Sequence, residues 1–241
     1  MLAAKKAAVL WSGGKDSVLA LHHARNNPAL DVVKLVTCLS QAYDRVSMHG
    51  VRRQLLIDQA EALGLPIEFI VIPHIDKPVC PMSLRSLDTP GTAFVANDVY
   101  TPTMLTALRN LKADGIEMIV FGDIYLEDLR AFRDDLLKQA DLEGAYPLWG
   151  RDTDDLYNEF HELGFQGITV CVDMERLTAE HCGQMLTSAF RESLPNGVDP
   201  CGERGEYHTF TFDGPLFARP VAFRKGDIHR QVPFAFQELY S

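Results

Sequence analysis

The amino-acid sequence predicts an α/β fold built on a doubly wound parallel sheet. Short apolar runs alternate with amphipathic stretches through the first half of the chain. The runs contain few polar positions, which is typical of parallel strands that are buried on both faces. A glycine-rich turn joins the first run to the first amphipathic stretch. Alternation of this kind predicts right-handed crossovers and a ligand site beyond the carboxyl ends of the strands.

The elements of the first half follow in a regular order. The predicted buried strands cover residues 7–11, 32–38, 67–72 and 116–121. The stretches with helical spacing between them cover residues 17–25, 51–63 and 102–112. Gly64 and Gly115 follow the last two helices, at the position where glycine commonly ends a helix.

The second half has shorter and less regular elements. We predict helices over residues 127–139, 154–163 and 178–194. We predict strands over residues 145–149, 165–172, 207–212 and 221–223. A modest shift in composition divides the chain into an N-terminal domain, residues 1–146, and a smaller C-terminal α/β domain, residues 147–241. Residues 73–90 contain four prolines and predict a long loop over the strand ends, either a lid or a surface excursion.

Composition argues against several classes of protein. The chain has 241 residues and a formal net charge of −10, which disfavours a broad nucleic-acid-binding face. Its five cysteines are scattered without a C-x-x-C pair, as expected in a reducing compartment. No apolar run approaches transmembrane length, and no secretory signal is evident. We therefore expect a cytoplasmic protein without nucleic-acid or membrane partners, and the oligomeric state stays open.

The glycine-rich turn, with the sequence Ser-Gly-Gly-Lys-Asp-Ser, is the strongest candidate for a ligand site. Backbone N–H groups at a helix N-terminus lack helical partners, and the helix dipole adds positive charge there. Glycines let the backbone approach a phosphate, the lysine adds charge and the serines add hydroxyl donors. The alternative is a plain strand-to-helix turn with a capping side chain. We assign the binding of a phosphate group to the whole turn: Ser12, Gly13, Gly14, Lys15, Asp16 and Ser17.

A second candidate site lies between a predicted helix and a predicted strand, at residues 199–209. Its carboxylates, arginine and histidine are costly to bury without a purpose, although a solvated loop carries such charges at no cost. A zinc site with Cys201 is disfavoured, because the spacing matches no structural zinc pattern. The candidate residues of this segment are Gly202, Glu203, Arg204, Glu206 and His208.

Further candidates follow the predicted strands. Gly122 and Asp123 lie at the carboxyl end of the strand at 116–121, where Gly122 permits close backbone approach. Asp123 can meet a ribose hydroxyl or the shell of a Mg²⁺ ion, or it is a plain helix N-cap. His49 follows the second strand on the same edge, where a substrate role and a structural role are equally favoured.

Arg130 and Arg133 are candidates for bidentate binding of a substrate carboxylate. On the residues alone, pairing of these arginines with Asp134 or Glu127 of the same helix is the favoured alternative.

Several motifs together resemble the diphthine–ammonia ligase family, which has the PP-loop of the N-type ATP pyrophosphatases. The turn at residues 12–17 matches the PP-loop, whereas a Walker A loop is excluded because Val9 stands where that motif needs glycine. The order and spacing of the other motifs agree with the family over nearly the whole chain. They are Phe-Gly-Asp-Ile at 121–124, Pro-Leu-Trp-Gly at 147–150, Cys-Gly-Glu-Arg-Gly-Glu-Tyr-His-Thr at 201–209 and Asp-Gly-Pro-Leu-Phe at 213–217.

The resemblance implies a Rossmann-like ATP-binding domain and a smaller α/β domain, with the active site in the cleft between them. It implies that ATP adenylates a carboxylate, pyrophosphate leaves and ammonia displaces AMP to form an amide. In the type member the carboxylate belongs to diphthine, a modified histidine of translation elongation factor 2. Arg204 and His208 depart from the Gly-Glu-Gly-Gly-Glu-Phe-Glu-Thr form common in diphthine-acting ligases. The segment with these two residues resembles that of a bacterial branch of the family. For this branch a role in cobalamin salvage is implied, and a corrinoid acid is then the alternative acceptor.

Each candidate has an expected role in such a reaction. The loop with Lys15 holds the β and γ phosphates, Asp16 helps to hold Mg²⁺, and Cys38 at the end of the second strand flanks adenine. Glu203 and Glu206 orient ammonia or the acceptor, and one of them takes a proton from ammonium. Free ammonia is the expected nitrogen source. A tRNA-modifying enzyme and a non-catalytic nucleotide-binding module are the competing interpretations.

Overall fold

A mainly parallel sheet forms the first part of the computed structural model, which describes residues 3–41, 44–46, 49–73 and 93–241. Its parallel strands are β1 (Lys5–Leu10), β2 (Leu30–Ser40), β4 (Ile67–Ile72), β5 (Met118–Val120) and β6 (Glu143–Ala145). They run in the order β4–β2–β1–β5–β6. A two-residue strand, β3 (Arg45–Val46), pairs antiparallel with the end of β2.

The sheet has a topological switch point between β1 and β5, where the order in which strands are added changes direction. From β1 the chain proceeds to β2 and β4 on one side, and it then crosses to β5 and β6 on the other. The carboxyl ends of β1 and β5 therefore border the crevice in which open α/β sheets bind their ligands. Residues 12–14 follow β1 and Gly122 follows β5, so two of the predicted sites lie at this crevice.

Helices cover both faces of the parallel sheet. They are α1 (Lys15–Arg25), α2 (Arg53–Leu63), α3 (Ala93–Ala113) and α4 (Glu127–Gln139). Ala7 and Val9 of β1 pack in one apolar cluster with α1 and α2, whereas Ala8 packs in a second cluster with α3 and α4. Because successive strand residues point to opposite faces, the sheet is doubly wound, and the predicted fold class is confirmed.

A second, antiparallel sheet follows. It contains β7 (Gln166–Asp173), β8 (Tyr207–Asp213), β9 (Arg224–Gln231) and β10 (Phe234–Tyr240). The strand order is β8–β7–β10–β9, so β8 and β9 are its edges. Helix α5 (Thr153–Glu162), a 3₁₀ turn at Ala179–His181 and the short helix α6 (Ser188–Ser193) accompany this sheet.

Several predicted elements are wrong in extent or in type. Strand β6 ends at Ala145, and a turn replaces the strand predicted over 145–149. The helix predicted over 178–194 is broken because residues 183–186 pair with β7 instead. Helix α3 begins at Ala93, so Pro102 lies inside it rather than at its start.

The hairpin of β9 and β10 was not predicted, and residues 221–223 precede it without forming a strand. Nearly every position of β9 is exposed, and its sequence is mostly polar. An edge strand of this kind lacks the apolar alternation by which strands are identified in a sequence.

Apolar packing joins the two sheets. One cluster contains Val18 of α1 together with Phe160 of α5 and Phe210 of β8. The boundary near residue 146 stays a prediction. Beyond Pro73, the predicted loop at 73–90 lies outside the described residues. Within the described ranges, every helix is too short or too polar for a bilayer span.

Candidate active site

The glycine-rich turn lies directly between β1 and α1 and packs against the edge strand β8. Gly13 has a φ of +81°, which favours glycine, and its carbonyl accepts a hydrogen bond from Thr211 N at 2.8 Å. A Cβ atom on Gly14 would lie 3.0 Å from both the carbonyl and the Oγ1 of Thr209. The second sheet thus touches the loop backbone itself, and side chains larger than glycine do not fit there without rearrangement.

The two serines of the loop are bonded to each other and to the loop backbone. Ser12 Oγ accepts a hydrogen bond from Gly14 N at 3.3 Å and donates to Ser17 Oγ at 3.2 Å. Ser17 Oγ donates to the Gly14 carbonyl at 2.9 Å. The hydroxyls therefore hold the turn in shape and lie where the N-terminus of α1 begins, as a phosphate site requires.

Lys15 is almost fully buried, with 2% of its surface exposed. Its Nζ lies 2.8 Å from both carboxylate oxygens of Asp16, donates to the Cys201 carbonyl and lies 5.5 Å from the centre of the Tyr207 ring. Burial opposes the charge on Lys15, but Asp16 and then Cys201 and Tyr207 outweigh it and hold the pKa of Lys15 well above its ordinary value. The residue is therefore an ammonium that links the loop to the segment at 199–209.

The end of β5 touches the same loop. A Cβ atom on Gly122 would lie 2.9 Å from the carbonyl carbon and oxygen of Asp16, so this position needs glycine for close approach. Asp123 is buried and forms an ion pair with Arg133 of α4, with 2.7 Å between Oδ2 and Nε. Burial raises the pKa of Asp123, and Arg133 opposes the shift. The predicted meeting of the two strand ends at one crevice is therefore present.

Glu203 reaches from the second half of the chain to the end of β5. Its Oε1 accepts a hydrogen bond from Ile124 N at 2.8 Å. Burial, and then the charge of Asp16, raise the pKa of the Glu203 carboxyl from 4.5 to about 8. A carboxyl group with this pKa exchanges protons near neutral pH, as a general acid or base must.

Glu206 points into the fold. It is 0% exposed; its Oε1 accepts from Arg176 and from Asp199 N, both at 3.2 Å, and its Oε2 accepts from Arg204 N at 3.0 Å. The Asp199 carboxylate in turn accepts from Cys201 N at 2.8 Å. Segment 199–209 is therefore a folded turn held by inward carboxylates, and the solvated-loop interpretation is wrong for Glu206.

Gly202 and Arg204 occupy the two sides of this turn. Gly202 has a φ of +68°, and a Cβ atom there would lie 2.7 Å from the Tyr207 carbonyl. The exposed Arg204 guanidinium lies 6.0 Å from the centre of the Tyr125 ring. Gly202 is thus required by the turn, whereas Arg204 faces outward beside an aromatic ring.

His49 and His208 face each other, with 4.5 Å between their ring centres. His208 Nε2 is buried and has no hydrogen-bond partner among the described residues. Burial, then His49 and Lys15, hold the pKa of His208 well below its ordinary value. The structure thus unites two predicted residues that lie far apart in the sequence, and His208 is a neutral imidazole beside a cation.

Two predicted residues make their contacts elsewhere. Cys38 Sγ lies 3.5 Å from Met104 Sδ of α3, and burial raises the pKa of Cys38 to about 11. Arg130 Nε lies 3.6 Å from Asp134 of its own helix, the pairing that the residues alone favoured. The Arg130 guanidinium also stacks on the rings of Tyr146 and Trp149, at 4.6 and 4.5 Å from their centres. None of these contacts involves the loop at 12–17.

No group of three or more His, Cys, Asp or Glu side chains is arranged to hold a metal ion among the residues that the structure describes. Binding of Mg²⁺ through Asp16 therefore stays a prediction. Mg²⁺ is commonly bound by one or two carboxylates together with substrate phosphates and water, so a preformed protein cage is not needed.

Three residues that shape this site, Asp199, Thr209 and Gln59, were not assigned a role from the sequence. Asp199 and Thr209 are the first and last residues of the segment predicted at 199–209, and the Asp-Pro pair at 199–200 is a turn signal. Thr209 Oγ1 accepts a hydrogen bond from Lys15 N at 3.0 Å. Gln59 carries no signal in the sequence, since it lies in no recognisable motif. Arg133, a candidate for a substrate carboxylate, forms its ion pair with Asp123 instead.

Comparison with known proteins identifies the family. The model of the diphthamide synthase N-terminal domain matches residues 5–74, and that of the C-terminal domain matches residues 152–235. The diphthine–ammonia ligase of Homo sapiens is 28% identical, over 95% of this chain and 88% of its own. That of Bos taurus is 27% identical, over 96% and 87%.

A solved structure, a predicted subunit of a tRNA methyltransferase from Methanocaldococcus jannaschii, has a TM-score of 0.45 at 18% identity. The match covers 85% of this chain and 95% of that one. The two family models together span more than half of the chain. The chain therefore belongs to the diphthamide synthase family.

Proposed function

We propose that this chain is an ATP-dependent ligase that joins ammonia to a carboxylate and releases AMP and pyrophosphate. One observation carries the proposal: the phosphate loop and the segment at 199–209 form a single site. Lys15 donates to the Cys201 carbonyl, and Glu203 accepts from Ile124 N at the end of β5. A phosphate cradle and a carboxyl group with a pKa of about 8 therefore lie together. Membership of the family and the names of the relatives support the same reaction.

In the first step a carboxylate oxygen of the acceptor attacks the α-phosphorus of ATP, and the bond to the leaving pyrophosphate breaks. We assign the β and γ phosphates to the N-terminus of α1, with the Lys15 ammonium and the hydroxyls of Ser12 and Ser17. Gly122 allows the α-phosphate to approach the end of β5, and Cys38 borders adenine. Catalysis then depends mainly on positioning and on fixed positive charge.

Asp16 is the residue that we assign to Mg²⁺. Its carboxylate is near that of Glu203, whose pKa is raised by burial and then by Asp16, and a cation relieves this repulsion. Carboxylate oxygens are the ligands that Mg²⁺ prefers, so Asp16 is a suitable ligand together with the phosphates of ATP. Bound Mg²⁺ supplies positive charge that offsets the charge on the leaving pyrophosphate.

In the second step ammonia attacks the acyl carbon, and AMP leaves with the oxygen that it received from the acceptor. Ammonium must first lose a proton to give the ammonia that attacks. We assign this proton to Glu203, because a base is most effective when its pKa lies near the working pH. We assign Glu206 to positioning the turn that carries Glu203, since its oxygens bind backbone N–H groups of that turn.

We assign the acceptor to the surface beside the turn, with His49, His208, Gly202 and Arg204, and with Arg130 farther along. His208 Nε2 has no hydrogen-bond partner among the described residues, so the neutral imidazole can bond to the acceptor without adding charge next to Lys15. The names of the relatives make diphthine the first acceptor to test. A corrinoid acid is the second, because Arg204 and His208 differ from the common form of the diphthine-acting ligases.

The proposal is tested by following pyrophosphate release from MgATP and ammonium with each acceptor in turn. We expect release that depends on one acceptor, with an amide product found by mass spectrometry. Binding of ATP without any release would favour a non-catalytic module and contradict the proposal. Release that depends on bulk tRNA instead would place the chain among the tRNA-modifying enzymes.

We further propose that the protein works in the cytoplasm. Cys38, Cys171, Cys182 and Cys201 are free thiols among the described residues. Burial raises the pKa of Cys182 to about 12, so this thiol is unreactive toward oxidants. Free buried cysteines are typical of proteins in a reducing compartment.

A further inference from the structure

Gln59 of α2 is a fully buried polar residue outside every predicted motif. It is 0% exposed. Its Oε1 accepts a hydrogen bond from Trp11 Nε1 at 3.0 Å, and its Nε2 donates to the carbonyls of Gly13 at 3.0 Å and Thr211 at 2.5 Å. The indole is only a donor and the carbonyls are only acceptors, so their chemistry fixes the orientation of the amide.

The partners of Gln59 come from three parts of the site. Trp11 follows β1, Gly13 is the turn of the phosphate loop, and Thr211 belongs to β8 of the second sheet. A Cβ atom on Gly13 would lie 2.7 Å from Gln59 Oε1, so the loop packs directly against this amide. A buried amide that made none of these bonds would be costly, which makes the arrangement specific.

Contact with the Gly13 carbonyl determines where the next N–H group points. The Gly13 carbonyl and Gly14 N belong to one planar trans peptide, so they point in opposite directions. Gln59 and Thr211 N hold the carbonyl on the side of α2 and β8. Gly14 N is thereby directed to the other side of the loop, where Ser12 Oγ lies.

We propose that Gln59 is the positioning residue of the phosphate loop: it orients the Gly13–Gly14 peptide so that the loop accepts the pyrophosphate part of ATP. The inference rests on the proposed function, because it takes this loop to be the pyrophosphate site. Gln59 lies behind the loop and acts through Gly13, without contact with the ligand. Its loss changes the binding of pyrophosphate and leaves the binding of the adenosine part unchanged.

The test compares Gln59→Met, which keeps the length of the side chain and removes all three hydrogen bonds, with Gln54→Met on the exposed face of the same helix. Calorimetry measures the affinity for inorganic pyrophosphate and, separately, for AMP. We expect Gln59→Met to weaken pyrophosphate binding by about 10- to 100-fold with AMP binding unchanged. Gln54→Met should leave both affinities unchanged.

Equal pyrophosphate affinity in Gln59→Met and the parent protein would overturn the inference while the proposed function stands. A parent protein that binds neither ligand would overturn both. If Gln59→Met does not fold, Trp11→Phe removes the indole donor that orients the amide and keeps an aromatic ring in its place. It should then weaken pyrophosphate binding selectively, and an unchanged affinity in this variant would again overturn the inference.

Discussion

Thr209 Oγ1 accepts a hydrogen bond from the backbone N–H of Lys15 at 3.0 Å, although 194 positions separate the two residues in the sequence. The first turn of α1 is thus completed by the edge strand of the second sheet. N–H groups at a helix start otherwise need a side-chain cap, and Gly14, the residue before α1, has none to offer. The loop at residues 12–17 is therefore held at the start of α1 by a residue from the second half of the chain.

Replacement of Thr209 by valine tests this link. The variant keeps the shape of the side chain but leaves Lys15 N without its acceptor. We expect the free energy of unfolding to fall by about 1–3 kcal/mol and pyrophosphate release to fall about tenfold, measured by urea denaturation and by a release assay.

Thr211→Val is the matched control for Thr209→Val, two positions along the same strand. Thr211 Oγ1 is buried and has no hydrogen-bond partner among the described residues. Removal of such a hydroxyl is expected to leave stability unchanged or to raise it by up to about 1 kcal/mol. Equal losses of unfolding free energy and of pyrophosphate release in the two variants would show that β8 supports the loop only through packing.

Lys15→Met tests the role of the buried ammonium. Methionine fills much of the space of the lysine stem, and the Asp16 carboxylate keeps access to water because 28% of its side chain is exposed. We expect a folded protein that releases pyrophosphate about 100-fold more slowly or worse. Lys112→Met, on the surface of α3, is the control and should retain full turnover. Full turnover in Lys15→Met would show that the ammonium of the loop takes no part in the reaction.

Glu203 makes stability depend on pH. Its pKa is raised in the folded protein from 4.5 to about 8, so the folded state binds more protons than the unfolded state between these values. The contribution to stability is therefore complete below about pH 4 and is lost as the pH rises through about 8. Glu203→Gln should abolish this fall, which denaturant titrations at about pH 5 and about pH 9 measure.

The same residue gives a test of catalysis. If Glu203 takes a proton from ammonium, the rate of amide formation rises with pH up to its pKa, and Glu203→Gln lowers this rate without weakening ATP binding. If Glu203→Gln kept both the pH dependence of stability and the rate of amide formation of the parent protein, Glu203 would have neither the electrostatic nor the catalytic role.

Glu206→Gln tests the inward carboxylate of the same turn. An amide has only one acceptor oxygen. In the variant, the NH₂ group must therefore face one of the N–H groups that donate a hydrogen bond to the carboxylate of the parent protein. We expect a loss of about 1–3 kcal/mol in unfolding free energy and slower product formation with ATP binding retained. The exposed Glu192→Gln on α6 is the control. A stable and fully active Glu206→Gln would show that the turn does not depend on this residue.

Local signals made the first half of the fold predictable. The apolar runs and the glycines that end helices define the parallel sheet, because such strands are buried on both faces. The β9–β10 hairpin was missed, since β9 is polar and exposed and its pairing with β10 is a tertiary property. Likewise, the helix predicted at 178–194 gives way to residues that pair with β7.

The parts of the site that directly follow parallel strands could be predicted from the sequence. The loop at 12–17 and Gly122 follow adjacent parallel strands, and a pattern of strands alone brings them together. The contact of His208 with His49 and that of Gln59 with Gly13 depend on how the second sheet packs on the first. No spacing in the sequence encodes that packing, so the partners of the loop emerge only from the structure.

The central claim is that AMP is transferred to a carboxylate, and isotope transfer tests it most directly. An acceptor whose carboxylate carries ¹⁸O is incubated with MgATP, ammonium and the protein, and the AMP formed is analysed by mass spectrometry. Adenylation followed by displacement predicts AMP that contains one ¹⁸O atom, together with an amide that has lost one. Unlabelled AMP, or ADP and phosphate in its place, would contradict the account.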